Sequence, residues 1–92
     1  MSKDKPEVGD IWEFKYKEFE TKYYISAIAR NPYPCFEYYY FTLYKNGNNE
    51  VASWWWDKER WDKAMMTYLG KSKANINELF EIEDKNADTT RK

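Results

Sequence analysis

The stretch CFEYYYFTLYKNGNNEVASWWWD, residues 35–57, decides the fold because it contains two strand patterns separated by a turn signal. Residues 46–49 are Asn-Gly-Asn-Asn, and Asn-Gly is a strong hairpin signal. The aromatic and β-branched residues on both sides are typical of strands. We therefore predict strands over residues 35–45 and 50–56, paired as an antiparallel hairpin.

The register of this hairpin determines which rings are buried. An even-numbered loop would join even to odd positions, so that one face would carry Tyr39, Phe41, Leu43, Ala52, Trp54 and Trp56. That face is nearly free of hydroxyls and is the expected core. The opposite face would then point outward with Tyr38, Tyr40, Thr42, Tyr44, Val51, Ser53 and Trp55. An odd loop would change this pairing, because a slip of one residue moves every side chain to the other face.

Two further strands are expected before the hairpin. Trp12, Phe14 and Tyr16 alternate with charged residues after a Gly-Asp turn, which is the period of a half-buried strand. Residues 22–30 form a second strand whose buried side is ambiguous. Residues 31–34, Asn-Pro-Tyr-Pro, are expected to form a loop, because two prolines do not fit a central strand.

A helix is predicted after the hairpin, with Asp57 as its N-cap. One helical face would carry Trp61, Ala64, Met65, Tyr68 and Leu69. Trp56 and Trp61 have the spacing of a hydrophobic staple, Glu59 and Lys63 that of an i, i+4 ion pair, and Gly70 would end the helix.

The segment after the helix is open to two interpretations. Phe80 and Ile82 alternate with glutamates and predict a short last strand. Asn75 and Glu78 have the spacing of a capping box, which favours a helical turn instead.

These elements predict a mainly β (α+β) fold: a small antiparallel SH3-like or OB-like barrel of four to five strands with one helix after the fourth strand. The alternative is an open antiparallel sheet with the helix packed across it. One domain is expected over residues 7–83, with a frayed N-terminus over 1–6 and a disordered tail over 84–92.

The layout of three segments resembles that of a known group of proteins. PEVGDIWEF (residues 6–14), KYYISAIA (22–29) and FEYYYF (36–41) are similar to the Gly-Asp turn and Tyr-rich strands of small SH3-like barrel proteins of bacteriophages and mobile elements. The resemblance covers about residues 6–83 and extends to the helix after the fourth strand. It implies an SH3-like barrel and a phage-type modulator of a host or defence protein, and it assigns no functional residue.

Composition argues against an enzyme. The 92 residues contain no histidine and a single cysteine, Cys35, which removes the usual general base and any zinc cluster. Cys35 is expected to be a buried structural thiol. Three scattered glycines form no phosphate loop, so we expect no cofactor and no metal. The lone cysteine and an N-terminus without an apolar stretch predict a cytoplasmic protein.

A protein-interaction module is the function that these patterns favour. Aromatic residues make up 21% of the chain, and exposed ring clusters mark interaction sites. The predicted binding residues are Tyr38, Tyr40, Tyr44, Trp55, Tyr24, Arg30, Lys15 and Lys17. The partner is expected to be another protein, bound by a monomer rather than by a homodimer that covers the ring face.

A nucleotide or single-stranded nucleic acid is the alternative ligand, because bases stack on Tyr and Trp beside cations. The net charge of −1 argues against broad electrostatic capture of duplex DNA.

Overall fold

The computed structural model describes residues 5–31, 37–73, 75 and 78–83, and it shows one antiparallel sheet with a short helix. The elements are β1 (Asp10–Tyr16), β2 (Phe19–Arg30), β3 (Tyr38–Lys45), β4 (Val51–Asp57), α1 (Lys58–Ala64) and β5 (Thr67–Lys71). The predicted mainly β fold, with one helix after the fourth strand, is confirmed.

The strand order is β4-β3-β2-β1-β5, so β4 and β5 stand at the two edges. The pairings in the described part of the chain leave the sheet unclosed, although its shape is compatible with a barrel. The predictions for residues 1–4 and 84–92, and for the loop at 32–34 and Cys35, fall outside the described residues. No helix within the described ranges combines the length and apolar character needed to cross a membrane.

The loop between β3 and β4 contains an odd number of residues, so the register predicted for an even loop is wrong. The Asn46 N–H donates to the Glu50 carbonyl at 2.9 Å, and the Asn49 N–H donates to the Asn46 carbonyl at 2.9 Å. Asn49 has a left-handed backbone, with φ 65°. This arrangement is a three-residue hairpin loop, in which a type I turn is followed by one left-handed residue.

Even positions of β3 consequently lie opposite even positions of β4. Tyr40 pairs with Trp56, and Thr42 pairs with Trp54. Tyr40, predicted to face outward, is 5% exposed, whereas Trp54, predicted to be core, is 49% exposed. Trp55 is 47% exposed, as predicted. Trp56 packs against the core, so only part of the predicted core face is buried.

A bulge in β2 explains why the buried side of this strand was ambiguous. The pairing with β3 shifts register between Ile25 and Ala27. Ile25 is buried before the bulge, and Ile28 packs against the same core after it. The bulge therefore changes the inward-facing positions from odd to even numbers. The Ser26 hydroxyl at the bulge donates to the Phe41 carbonyl at 3.0 Å.

The core lies between α1 and one face of the sheet, which we call the inner face. Its buried residues are Trp12, Ile25, Tyr40 and Trp61. The rings meet mostly edge to face: Trp61 lies 5.5 Å from Trp12 and 5.2 Å from Tyr40, centroid to centroid. Such edge contacts are preferred by aromatic pairs, so a few large rings fill this small core.

Helix α1 begins as predicted and ends earlier than predicted. The Asp57 side chain accepts from the Arg60 N–H at 2.7 Å, which makes it the N-cap. The predicted staple is present, with the Trp56 and Trp61 rings 5.8 Å apart, and Lys63 lies 3.2 Å from Glu59. The helix stops at Met65, whose backbone is left-handed at φ 53°.

The predicted helical positions beyond residue 65 belong to β5 instead. Tyr68 pairs with Trp12 across the open edge of β1, and their rings pack 5.3 Å apart. Gly70 lies in this strand and not at a helix end. The sheet edge offers backbone hydrogen bonds and a ring contact that outweigh the helical pattern, because tertiary context overrides a weak local propensity.

Residues after β5 fold back over the face of the sheet opposite the core, the outer face. Ser72 and Ile82 form an isolated antiparallel bridge, and no regular strand or helix follows β5 in the described residues. Gly70 has φ 141°, and a Cβ there would lie 2.5 Å from Cγ2 of Ile82. Glycine is therefore required where Ile82 crosses the sheet.

The difference in burial between Trp61 and Trp54 predicts a difference in their contributions to stability. Trp61→Ala removes a buried ring and is expected to lower the free energy of unfolding by about 3–5 kcal/mol. Trp54→Ala removes a half-exposed ring from an edge strand and is expected to cost less than about 1 kcal/mol. Urea unfolding of both variants beside the wild type measures the difference. Equal losses would mean that Trp54 is packed as fully as Trp61 and would contradict its half-exposed position on the edge strand.

Candidate binding surfaces

The residues predicted to bind lie at separate places in the structure. Lys15 pairs with Glu20 near the β1–β2 turn, whereas Arg30 pairs with Tyr38 at the far end of β2. At about 3.3 Å per strand residue, this places the two cations on the order of 30 Å apart. The fold therefore does not gather the predicted set into a single patch.

The predicted cations each have local partners. Lys15 Nζ lies 3.9 Å from carboxylates of Glu13 and Glu20. Lys17, in a left-handed conformation at the β1–β2 turn, lies 5.3 Å above the ring of Tyr16. The Lys15–Glu20 pair is exposed on both sides and contributes little to stability.

The predicted tyrosines are mostly part of the packing. Tyr40 lies in the core, and Tyr44 packs on Tyr23 with ring centroids 5.4 Å apart. Tyr24 is half-buried opposite Leu43 on the outer face. Tyr38 packs against the core, and the Arg30 guanidinium lies 5.6 Å from its ring.

Three rings, two of them exposed, instead meet on the outer face at β3 and β4. We call Tyr39, Phe41 and Trp55 the outer aromatic patch. Phe41 is paired directly with Trp55, and the Tyr39 and Trp55 rings lie 5.9 Å apart. Phe41 is 41% exposed. Only Trp55 of this patch was among the predicted binding residues, since the even register had placed Tyr39 and Phe41 inside.

Arg60 adds a cation to the outer aromatic patch from helix α1. Its guanidinium lies 4.5 Å from the Trp55 ring centroid, and it donates to the Trp55 carbonyl at 3.0 Å. Its Nε lies 3.4 Å from the Asp57 carboxylate. Arg60 was not among the predicted binding residues, although its position in the first helical turn, five residues after Trp55, was a usable signal.

The backbone of β4 is open along its outer edge. The Asn46 N–H donates to the Glu50 carbonyl, and the hydrogen-bonding direction alternates from residue to residue along an antiparallel strand. The N–H and C=O groups of the even-numbered residues of β4 therefore point toward β3. The corresponding groups of Val51, Ser53 and Trp55 point away from the sheet. No described strand pairs with that side of β4. Of the outward-pointing groups, the Trp55 carbonyl accepts a hydrogen bond from the Arg60 guanidinium.

A cavity of about 420 Å³ lies on the inner face, between α1 and the ends of β2 and β3. Its walls are apolar: Ile28, Tyr38, Tyr40 and Trp61. Lys58, Trp61 and Asp62 face it from positions i, i+3 and i+4 of α1, which share one helical face.

The polar rim of the cavity is electrostatically coupled. Lys58 Nζ lies 2.6 Å from the Asp62 carboxylate, and this hydrogen bond raises the pKa of Lys58. Burial raises the pKa of the Tyr40 phenol, with Lys58 opposing that shift and Asp62 adding to it. Tyr40 therefore stays a neutral hydroxyl beside this ion pair at neutral pH.

Comparison with family models, curated protein sequences and solved structures gives no match to this chain. Within the described ranges, no group of three or more Cys, Asp or Glu side chains is arranged to hold a metal ion. The candidate binding surfaces must therefore be interpreted from their own geometry.

The Tyr40 environment gives stability a dependence on pH. The raised pKa means that the unfolded chain releases the phenolic proton before the folded one, so the free energy of unfolding falls as pH rises above about 10. Tyr40→Phe keeps the ring and removes this proton, so its decline should be shallower. Urea unfolding between pH 8 and pH 11 measures both. Parallel declines would contradict burial of the Tyr40 hydroxyl.

Proposed function

We propose that the chain is a protein-interaction module that binds an extended segment of a partner protein as an added strand along β4. The observation that carries this proposal is the unprotected outer edge of β4 with an exposed tryptophan on each face. Strand addition is a recurrent mode of peptide recognition, in which the backbone supplies affinity and alternate side chains supply specificity.

Edge strands usually carry features that prevent pairing with other chains, such as lysine, proline, a bulge or a short length. The sequence of β4 is VASWWWD, with a charge only at its final residue. Its pairing with β3 runs without a register shift over seven residue pairs. The retained open edge thus favours a binding role.

The side chains of β4 indicate what the partner segment contains. An added strand would have Val51 and Trp55 beside it on the outer face and Ala52 and Trp54 on the inner face. All four are apolar, and Val51, Trp54 and Trp55 are exposed. The bound segment should therefore carry apolar residues on both faces. The layout resemblance to phage proteins supports a host or defence protein as its source.

The proposal is tested by selecting peptides from a displayed random library and measuring their affinity for variants at Ser53. Ser53→Pro removes an outward N–H and should weaken binding by at least about tenfold, because a ladder hydrogen bond is lost and proline disrupts the pairing. Ser53→Ala keeps the backbone and should bind as the wild type does. An edge position tolerates proline, and circular dichroism checks folding.

A second variant separates backbone from side-chain recognition. Trp54→Lys places a charge beside the added strand and should also weaken the selected peptides. Unchanged affinity in both Ser53→Pro and Trp54→Lys would show that the peptides bind elsewhere and would reject the β4 edge.

The alternative function, binding of a nucleotide or single-stranded nucleic acid, is favoured by Arg60 stacked on the exposed Trp55. A base could stack on this ring while the guanidinium contacts a phosphate. Fluorescence anisotropy with a labelled oligothymidine should then show binding that weakens steeply with salt and is lost in Trp55→Ala. Absence of binding at low salt would exclude this function.

A further inference from the structure

The cavity beneath α1 has a polar rim of defined charge in addition to its apolar walls. Its mouth carries two cations, Lys5 and Lys58, and one anion, Asp62. Asp62 is held by Lys58 at 2.6 Å, so that pair is close to neutral. Lys5 has no ion-pair partner among the described residues, which leaves a net positive charge at the opening.

The walls are built from aromatic rings that other contacts hold in place. Trp61 and Tyr40 pack edge to face at 5.2 Å, and both are nine-tenths or more buried. Ile28 points to the inner face because the β2 bulge changes the inward-facing positions of that strand from odd to even numbers. The Tyr40 hydroxyl adds a neutral hydrogen-bonding group near Lys58 and Asp62.

We propose that this cavity is a binding site for a small planar aromatic carboxylate, whose ring inserts between Ile28, Tyr38 and Trp61 while its carboxylate lies toward Lys5. The site is separate from the β4 edge and adds a small-molecule ligand to the proposed interaction module. Ligand pockets typically combine apolar and aromatic walls with a few polar groups, over about 300–1,000 Å³.

The cavity volume limits the size of the ligand. At about 420 Å³ it lies near the lower end of that range, which suits one or two fused rings and not a dinucleotide. Aromatic rings prefer offset or edge contacts with the tyrosine and tryptophan walls, and a carboxylate accepts hydrogen bonds from an ammonium group and a phenol.

The test compares two probes of the same shape, 2-naphthoate and the uncharged 2-naphthylmethanol, on the full chain. Two-dimensional NMR should show shifts for both at Ile28, Tyr38 and Trp61. Titration should give about threefold tighter binding of 2-naphthoate, the size expected for a solvent-exposed ionic contact. No saturable binding of 2-naphthoate at millimolar concentration, or shifts confined to Trp54 and Trp55, would overturn the proposal.

Variants of exposed lysines keep the test independent of folding. Lys5→Ala should remove the preference for 2-naphthoate while leaving the affinity for 2-naphthylmethanol unchanged. Lys63→Ala is the matched control, because Lys63 is an exposed lysine of α1 that lies beside Glu59 and outside the cavity. A preference that survives Lys5→Ala, or is lost equally in Lys63→Ala, would contradict the assigned position of the carboxylate.

Discussion

The hydrogen bonds that close the turn at Asn46 and Glu50 are the constraint on which the rest of the structure depends. They fix an odd loop, with Asn49 left-handed, and so pair Tyr40 with Trp56. A shift of one residue would place the inner-face residues of one of these two strands on the same side as the outer-face residues of the other. This turn therefore decides which rings pack under α1, which form the outer aromatic patch, and which backbone groups point away from β4.

A buried carboxylate holds the other edge of the sheet in place. Asp10 is fully buried and accepts hydrogen bonds from the Glu7 N–H at 2.8 Å and the Trp12 indole at 3.2 Å. Lys71 of β5 lies 2.8 Å from its second oxygen, and this contact raises the pKa of Lys71. A buried charge is tolerated only when it is paired and hydrogen-bonded, so Asp10 links the N-terminal turn, β1 and β5.

Much of the fold was predictable because its signals were local. The strand pattern around Trp12, the Asn-Gly turn and the Asp57 cap each depend on neighbouring residues, and the strand, the turn and the cap are all present in the structure. The helix end was not predictable, because Tyr68 has helical spacing from Trp61 yet pairs with β1. A pattern cannot show whether a sheet edge is available to compete with the helix.

The candidate binding surfaces were less predictable, because they depend on whether the loop is odd or even and on a bulge. Asn-Gly favours a two-residue loop, and nothing local shows that Asn49 will add a third residue. That single residue moves Tyr40 from the expected outer face into the core. Trp54 keeps its expected inner face and is exposed because β4 is an edge strand. The Ser26 bulge has a similar effect in β2. Trp55 kept its predicted exposure, while its neighbours in the patch and Arg60 emerged only from the structure.

Amide hydrogen exchange along β4 tests the open edge most directly. The N–H groups of Ala52, Trp54 and Trp56 should exchange slowly because they bond to β3, whereas those of Val51, Ser53 and Trp55 should exchange rapidly. NMR resolves each amide separately in the isolated protein. Slow exchange at Ser53 and Trp55, or an alternation with the opposite phase, would show that the edge is covered or the register different, and would contradict strand addition at β4.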